Sequence, residues 1–192
     1  MNAQFEPIRT ASGTSALRAD VRAFLSERIG ELPPEIRAQS WSGWDDALSA
    51  EMGARGWIGM TWPTAFGGQA ASQLERYTVA EEMLAAGAPV AAHWIADRQS
   101  GALILKFGSD DLKRELVPQI ATGKLFFCIG MSEPNSGSDL ASLRTRAERV
   151  DGGWSVSGSK IWTTSADKSQ FMIALVRTAQ QDARSSRDGL SQ

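Results

Sequence analysis

Two loops of this sequence carry the side chains whose types and spacing suit ligand chemistry. The first spans residues 130–139 and reads GMSEPNSGSD. A loop this rich in Gly, Ser and Asn can direct several backbone N–H groups at one point, and so bind phosphate without net positive charge. Gly137 allows close backbone approach, while Ser132 and Ser138 add hydroxyl donors. Composition alone favours a plain connecting turn, because the same residues dominate ordinary turns.

The second loop spans residues 158–165 and reads GSKIWTTS. Trp162 offers a flat apolar wall, and Thr164, two residues later, offers a hydrogen bond. An isoalloxazine or another aromatic ring requires both. Taken without the first loop, Trp162 is better interpreted as part of a β-domain core.

The elements before these loops have helical periodicity. Apolar stripes at helical spacing cover residues 17–25 and 44–52, and capping boxes are predicted at Ser42 with Asp45 and at Ser72 with Glu75. The Ser72 helix should stop near Gly87. A further helix is predicted to run from Pro89 to Phe107. Ser109 is predicted to cap the next one, which Pro118 should kink or shorten.

The period changes at residue 125. Residues 126–129 and 171–176 are predicted to form buried strands, and residues 143–159 a hairpin with one buried face. The polar tail, 180–192, is predicted to be a loop. The fold class is therefore α+β. An all-α N-terminal domain (1–124) precedes an antiparallel, barrel-like β middle domain (125–192), which we expect to be incomplete.

Composition excludes several functional classes. The chain of 192 residues has 20 basic and 22 acidic residues, so it lacks the basic surface that nucleic acid requires. A single cysteine (Cys128) and a single histidine (His93) predict no metal site. A lone helical histidine is more often a surface or satisfied core residue than a substrate ligand. No signal peptide or membrane span is predicted, and the lone thiol fits a cytoplasmic location.

Both loops, in this order and at this separation, resemble the acyl-CoA dehydrogenase family of flavoproteins. Further matches lie in the helical region. They are Trp62-Pro63, Gly67-Gly68, Phe107-Gly108, Leu116-Val117-Pro118 and Gly123. The resemblance covers nearly the whole chain, from about Thr14 onward. It implies an FAD-dependent oxidoreductase of fatty acid or lipid catabolism.

The resemblance also assigns cofactor-binding roles to residues of the first loop. Ile129, Met131 and Ser132 match the strand end that lines the flavin on its pyrimidine side. Gly137 and Ser138 match the turn that holds the FAD pyrophosphate. Ser138 also matches a position close to the acyl-CoA substrate.

In the second loop, Trp162 matches the indole beside the flavin ring, and Thr164 matches the hydroxyl near its reactive nitrogen. The family reaction is α,β-dehydrogenation of an acyl-CoA thioester to the enoyl-CoA. A glutamate base removes the α proton, and a hydride passes to the flavin. That base belongs to a C-terminal domain that this sequence lacks. Glu133 is interpreted as structural, so no catalytic residue is predicted, and we expect this chain alone to be inactive.

The resemblance implies acyl-CoA as substrate, an electron-transfer flavoprotein as electron acceptor, and a homo-oligomer when full length. Two alternatives remain open at the level of sequence. One is an acyl-CoA oxidase, which passes electrons to oxygen. The other is a non-catalytic truncated chain or pairing subunit.

Overall fold

The computed structural model of the protein describes residues 12–30, 32–179 and 188–192. The chain divides into two compact units, with the boundary between Lys124 and Leu125. The sequence periodicity changes from helical to strand-like at the same place.

The first unit is helical. Its core includes Val21 and Phe24 from the first long helix and Val79 and Met83 from the helix packed against it. The helices are α1 (Ser15–Ile29), α2 (Pro34–Arg37), α3 (Asp46–Ala54), α4 (Gln73–Ala86), α5 (Ala91–Ile95), α6 (Gly101–Phe107) and α7 (Asp110–Ala121). No helix in the described ranges is both long and apolar enough to cross a membrane.

Local capping sets the bounds of these helices. The predicted capping box of α4 is confirmed, because Ser72 accepts from the Glu75 N–H while Glu75 accepts from the Ser72 N–H. Ser109 caps α7 as predicted. The prediction for α3 is wrong by one turn. Asp45 itself caps that helix by accepting from the Leu48 N–H, because its carboxylate sits three residues before that donor.

Two helix predictions around the prolines need correction. The helix expected from Pro89 begins at Ala91, and a π-helical turn, Ala96–Ser100, joins α5 to α6. Pro118 lies inside α7, which continues three residues beyond it to Ala121, so the expectation that it shortens the helix is wrong.

His93 of α5 is a buried core residue. Its Nδ1 lies 2.8 Å from the Ser49 hydroxyl on α3, and its ring is 5% exposed. Burial, with a smaller contribution from the charge of Arg98, lowers the pKa of His93 to about 4. The imidazole is therefore neutral at pH 7 and joins two helices.

We expect acid to destabilise the helical unit through His93. The unfolded chain binds a proton near pH 6.5 but the folded ring only near pH 4, so stability falls as pH drops through this window. The loss between pH 7 and pH 5 should be about 2 kcal/mol. Urea unfolding of wild type and H93Q at both pH values measures it, and the variant should lose less.

Burial raises the pKa of Asp97, which has the opposite effect on acid stability. The comparison with H93Q isolates the imidazole, because Asp97 is common to both proteins. If the free energy of unfolding fell equally between pH 7 and pH 5 in wild type and in H93Q, the effect could not be assigned to His93.

The described part of the second unit contains six short strands. They are β1 (Phe127–Gly130), β2 (Arg146–Val150), β3 (Gly153–Ser157), β4 (Phe171–Ala174), β5 (Val176–Arg177) and β6 (Leu190–Ser191). β1 and β4 form one sheet, and the other four strands form a second sheet in the order β3-β2-β5-β6. The described residues form no closed barrel.

The expectation of an antiparallel domain holds for only part of this unit. β1 pairs with β4 in parallel, and β2 pairs with β5 in parallel at Arg146 and Arg177. Each of these pairs is separated by a long connection, and a connection of that length lets the chain return in the same direction. Among the strands that the structure describes, the local hairpin β2–β3 and the pair β5–β6 are antiparallel.

Two further predictions for this unit also change. The hairpin face expected to be buried is open, since Trp154 is 53% and Val156 60% exposed, with no described element packed over it. Most of the predicted loop at 180–192 lies outside the described residues. Its end, Leu190–Ser191, forms a strand because it pairs with β5.

Candidate functional site

A buried ion pair joins the two loops singled out from the sequence. Glu133 Oε1 lies 2.9 Å from Lys160 Nζ, and the two side chains are only 8% and 9% exposed. Breaking a buried pair by removing one partner costs far more than breaking a surface pair. The pair therefore fixes the separation of the loops.

The Glu133 carboxylate also organises the chain that follows its own loop. Its oxygens accept from the Arg144 N–H at 2.7 Å and from the Thr145 N–H at 2.9 Å. Burial alone raises the pKa of Glu133, but the hydrogen bonds from Thr145, the Arg144 backbone and Lys160 outweigh burial and lower this pKa to about 2. The carboxylate is thus ionised at neutral pH, with its oxygens already engaged.

Backbone contacts complete the junction. Lys160 Nζ donates to the Met131 carbonyl at 3.0 Å, and the Ile161 N–H donates to the Ser132 carbonyl at 2.9 Å. Met131 and Ser132 are thereby held against the residues that directly precede Trp162. The structure brings these three predicted site residues together.

The tip of the first loop is a rigid turn that presents Gly137 and Ser138 outward. Ser136 and Ser142 each donate their hydroxyl to the Asp139 carbonyl at 2.8 Å. Gly137 and Ser138 are exposed, and a Cβ at Gly137 would have no heavy atom within 4 Å. The space beside this turn is open to a ligand.

Trp162 is not a core residue. Its side chain is 87% exposed, and its φ of +57° lies in the left-handed region that residues other than glycine seldom adopt. Ser165 in the same loop has a φ of +59°. Backbone strain of this kind clusters at functional sites. The core interpretation of Trp162 is therefore wrong.

The remaining predicted residues lie around this junction. Thr164 is exposed, and its neighbour Thr163 carries a buried hydroxyl without a hydrogen-bond partner in the described structure. Ile129 is half-buried in β1, opposite Ile173, and so belongs to the sheet that supports the first loop.

Two residues with reactive side chains play no part in this junction. His93 lies in the other unit and is bonded to Ser49. Cys128 is buried, and burial raises the pKa of its thiol. No group of three potential metal-ligating side chains occurs in the part of the chain that the structure describes.

Sequence reasoning gave Lys160 no role. A detectable signal was present, because each loop contains a single ionisable side chain near its start and the two have opposite charge. The interpretation of Glu133 as a residue that fixes its loop agrees with its hydrogen bonds.

Replacing Glu133 by Gln should destabilise the second unit by about 3 kcal/mol, because Lys160 keeps a buried charge without a partner. Lowering the pH should also destabilise the second unit. A carboxylate with a lowered pKa stabilises the fold above its unfolded value of about 4.3, and this stability is lost as pH falls toward 2. Hydrogen exchange at the Arg144 and Thr145 amides reports both effects.

E148Q is the matched control for this experiment, since Glu148 is exposed on the neighbouring strand. It should leave exchange unchanged, and the double variant E133Q/K160M should recover part of the protection. Equal exchange in E133Q and E148Q would refute the role of the pair.

Comparison with known proteins agrees with both units. Residues 12–124 match the family described as acyl-CoA dehydrogenase, N-terminal domain, and residues 128–191 match acyl-CoA dehydrogenase, middle domain. The acyl-CoA dehydrogenase FadE26 of Mycobacterium tuberculosis is 39% identical over 129 residues, which is 67% of this chain and 32% of that protein.

Three solved structures are also similar. The Tcur3481-Tcur3483 steroid ACAD has a TM-score of 0.80 at 32% identity, over 99% of this chain and 48% of that chain. The ChsE4-ChsE5 complex from Mycobacterium tuberculosis has a TM-score of 0.76 at 31% identity, over 97% and 46%. A glutaryl-CoA dehydrogenase from Mycobacterium smegmatis in complex with FADH2 has a TM-score of 0.69 at 26% identity, over 89% and 43%.

The chain thus spans about a third of FadE26 and just under half of each solved chain. The two family matches together cover most of its residues and agree with its two structural units. This chain belongs to the acyl-CoA dehydrogenase family.

Proposed function

We propose that this chain supplies the FAD-facing loops of an enzyme that performs α,β-dehydrogenation of an acyl-CoA thioester. One observation carries the proposal. The exposed indole of Trp162 stands on a strained loop that a buried ion pair fastens to the Met131–Ser132 segment. Strained backbone clusters at functional sites, and a fixed, exposed indole offers a flat apolar face to a planar ligand.

The groups present fit FAD. An isoalloxazine needs a flat apolar wall beside polar donors, and Trp162 and Thr164 are both exposed on the same loop. The pyrophosphate needs a turn with open space and hydroxyl donors, which Gly137 and Ser138 offer. Met131 and Ser132 would then face the pyrimidine side of the ring.

When bound, FAD would accept the electron pair removed from the substrate. The residues of this chain would orient and shelter that cofactor. Trp162 would cover one side of the ring from water, and Ser132, Ser138 and Thr164 would direct hydrogen bonds to polar edges. Ser138 would also lie near the acyl-CoA.

Glu133 is unsuited to act as the base that removes the α proton. Its pKa of about 2 and its three donors leave little affinity for a proton near neutral pH. We therefore place the base in the portion of the relatives that this chain does not match.

The partners follow from the same proposal. They are an acyl-CoA thioester, an electron-transfer flavoprotein as acceptor, and further subunits of an oligomer. The ChsE4-ChsE5 structure supports the last of these, since this similar structure is a complex. A cytoplasmic location is supported by the single free thiol, Cys128.

The proposal predicts that this chain quenches flavin fluorescence saturably when FAD is titrated with it. Trp162→Ala should weaken FAD binding about tenfold, because the ring loses its aromatic contact. Trp154→Ala is the matched control, since Trp154 is also exposed but lies on the β2–β3 hairpin. Quenching that does not saturate would refute the cofactor assignment. Equal FAD dissociation constants in wild type, Trp162→Ala and Trp154→Ala would also refute it.

We expect this chain to bind FAD but not to catalyse dehydrogenation. We expect no reduction of bound FAD by any acyl-CoA, because no residue here is matched to the base. Stopped-flow absorbance at the flavin band, with straight, branched and steroidal acyl-CoAs, measures this directly. Bleaching of bound FAD by an acyl-CoA would show that the chain contains its own base.

A further inference from the structure

The helical unit contains a cavity of about 390 Å³ that has no role in the proposed flavin site. This volume lies within the range of small-molecule pockets. The residues that define its character are Trp62, Arg76, Asp97, Arg98, Leu105 and Lys106. Three of these are cations and only one is an acid.

The apolar wall of this cavity is fixed in position. Trp62 is 6% exposed, and its ring lies between two glycines. A Cβ on Gly59 would come within 2.4 Å of the ring, and one on Gly101 within 2.3 Å. Larger residues at either position would displace the indole, so the wall is built by close backbone approach on both sides.

The one acid of the cavity is already engaged. Asp97 Oδ1 accepts from the Gly59 N–H at 2.8 Å, and its Oδ2 lies 3.1 Å from Arg98 Nε. Arg98 also lies over the Trp94 ring at 4.7 Å. Asp97 and Arg98 thus neutralise each other and hold their shared segment against the Gly59 turn.

Two cations of the lining have no direct ion-pair partner, although the charge of Arg76 also acts on Asp97 and lowers its pKa. Neither Arg76 nor Lys106 makes a side-chain hydrogen bond or an ion pair with any described residue, although Lys106 lies over the Phe107 ring at 5.0 Å. Burial lowers the pKa of Arg98, the charge of Asp97 partly offsets this, and the nearby charge of Arg76 lowers it again. This crowding of like charge is relieved by an anion.

The helix is distorted where the cavity forms. Asp97 and Arg98 belong to the π-helical turn, Ala96–Ser100, which lies between α5 and α6. Single π-helical turns within α-helices are rare and occur frequently at functional sites.

We propose that this cavity binds a small phosphate monoester. The doubly negative head matches the charges of Arg76 and Lys106, which have no direct ion-pair partner among the described residues, and an apolar substituent fits against Trp62 and Leu105. The proposal is independent of flavin binding, since every lining residue belongs to the helical unit.

Isothermal titration of the chain with hexyl phosphate and with inorganic phosphate, at constant ionic strength, tests this site. Hexyl phosphate should bind at least about tenfold tighter, because only it covers the indole. R76Q and K106Q should each weaken hexyl phosphate binding about fivefold. R55Q is the control, because Arg55 lies over Phe24 and Trp57, away from the cavity.

Arg98 is not substituted, because the buried Asp97 carboxylate would then lose its ion-pair partner. Urea midpoints equal to wild type in R76Q and K106Q establish that both variants fold. Amide shifts at Gly59 and in the π-helical turn should accompany binding. Absence of saturable binding, equal affinity for the two phosphates, or wild-type affinity in R76Q would each overturn the proposal.

Discussion

The second unit depends on one buried carboxylate. Glu133 receives an ammonium group and two backbone N–H groups, and these three donors belong to two separate stretches of chain, residues 144–145 and Lys160. β1 buries Phe127 and Cys128, but every residue of β3 is exposed, so apolar burial is uneven across this unit. The charge-assisted bonds of Glu133 supply the rigidity that packing supplies elsewhere.

The helical unit uses buried polar groups differently. Ser49 with His93, and Gly59 with Asp97, each join elements that apolar packing already holds together. Glu82 on α4 binds Arg18 and Arg22 of α1 at the edge of the same core. Here the polar contacts set register between helices, and the apolar stripes provide the stability.

Local signals in the sequence were sufficient for much of this architecture. Ser72 and Ser109 marked helix starts because capping depends on residues three positions apart, and the Asp151-Gly152-Gly153 turn marked the hairpin. The parallel pairing of β1 with β4 was missed because no local pattern encodes the direction of a distant partner. The exposure of Trp162 was likewise undecidable from residue type, since an indole suits both a core and a ligand wall.

The β1–β4 pairing also has a kinetic consequence. The Phe126 N–H donates to the Gln170 side chain, 44 residues along the chain. The β1–β4 sheet therefore joins the two ends of a chain segment that contains both loops, and we call this closed segment the circuit. Closing such a circuit is entropically costly, whereas the β2–β3 hairpin inside it forms from neighbours. We expect the hairpin to fold first and the circuit to close last. A single late step would then order both loops, and a single local opening would release them together.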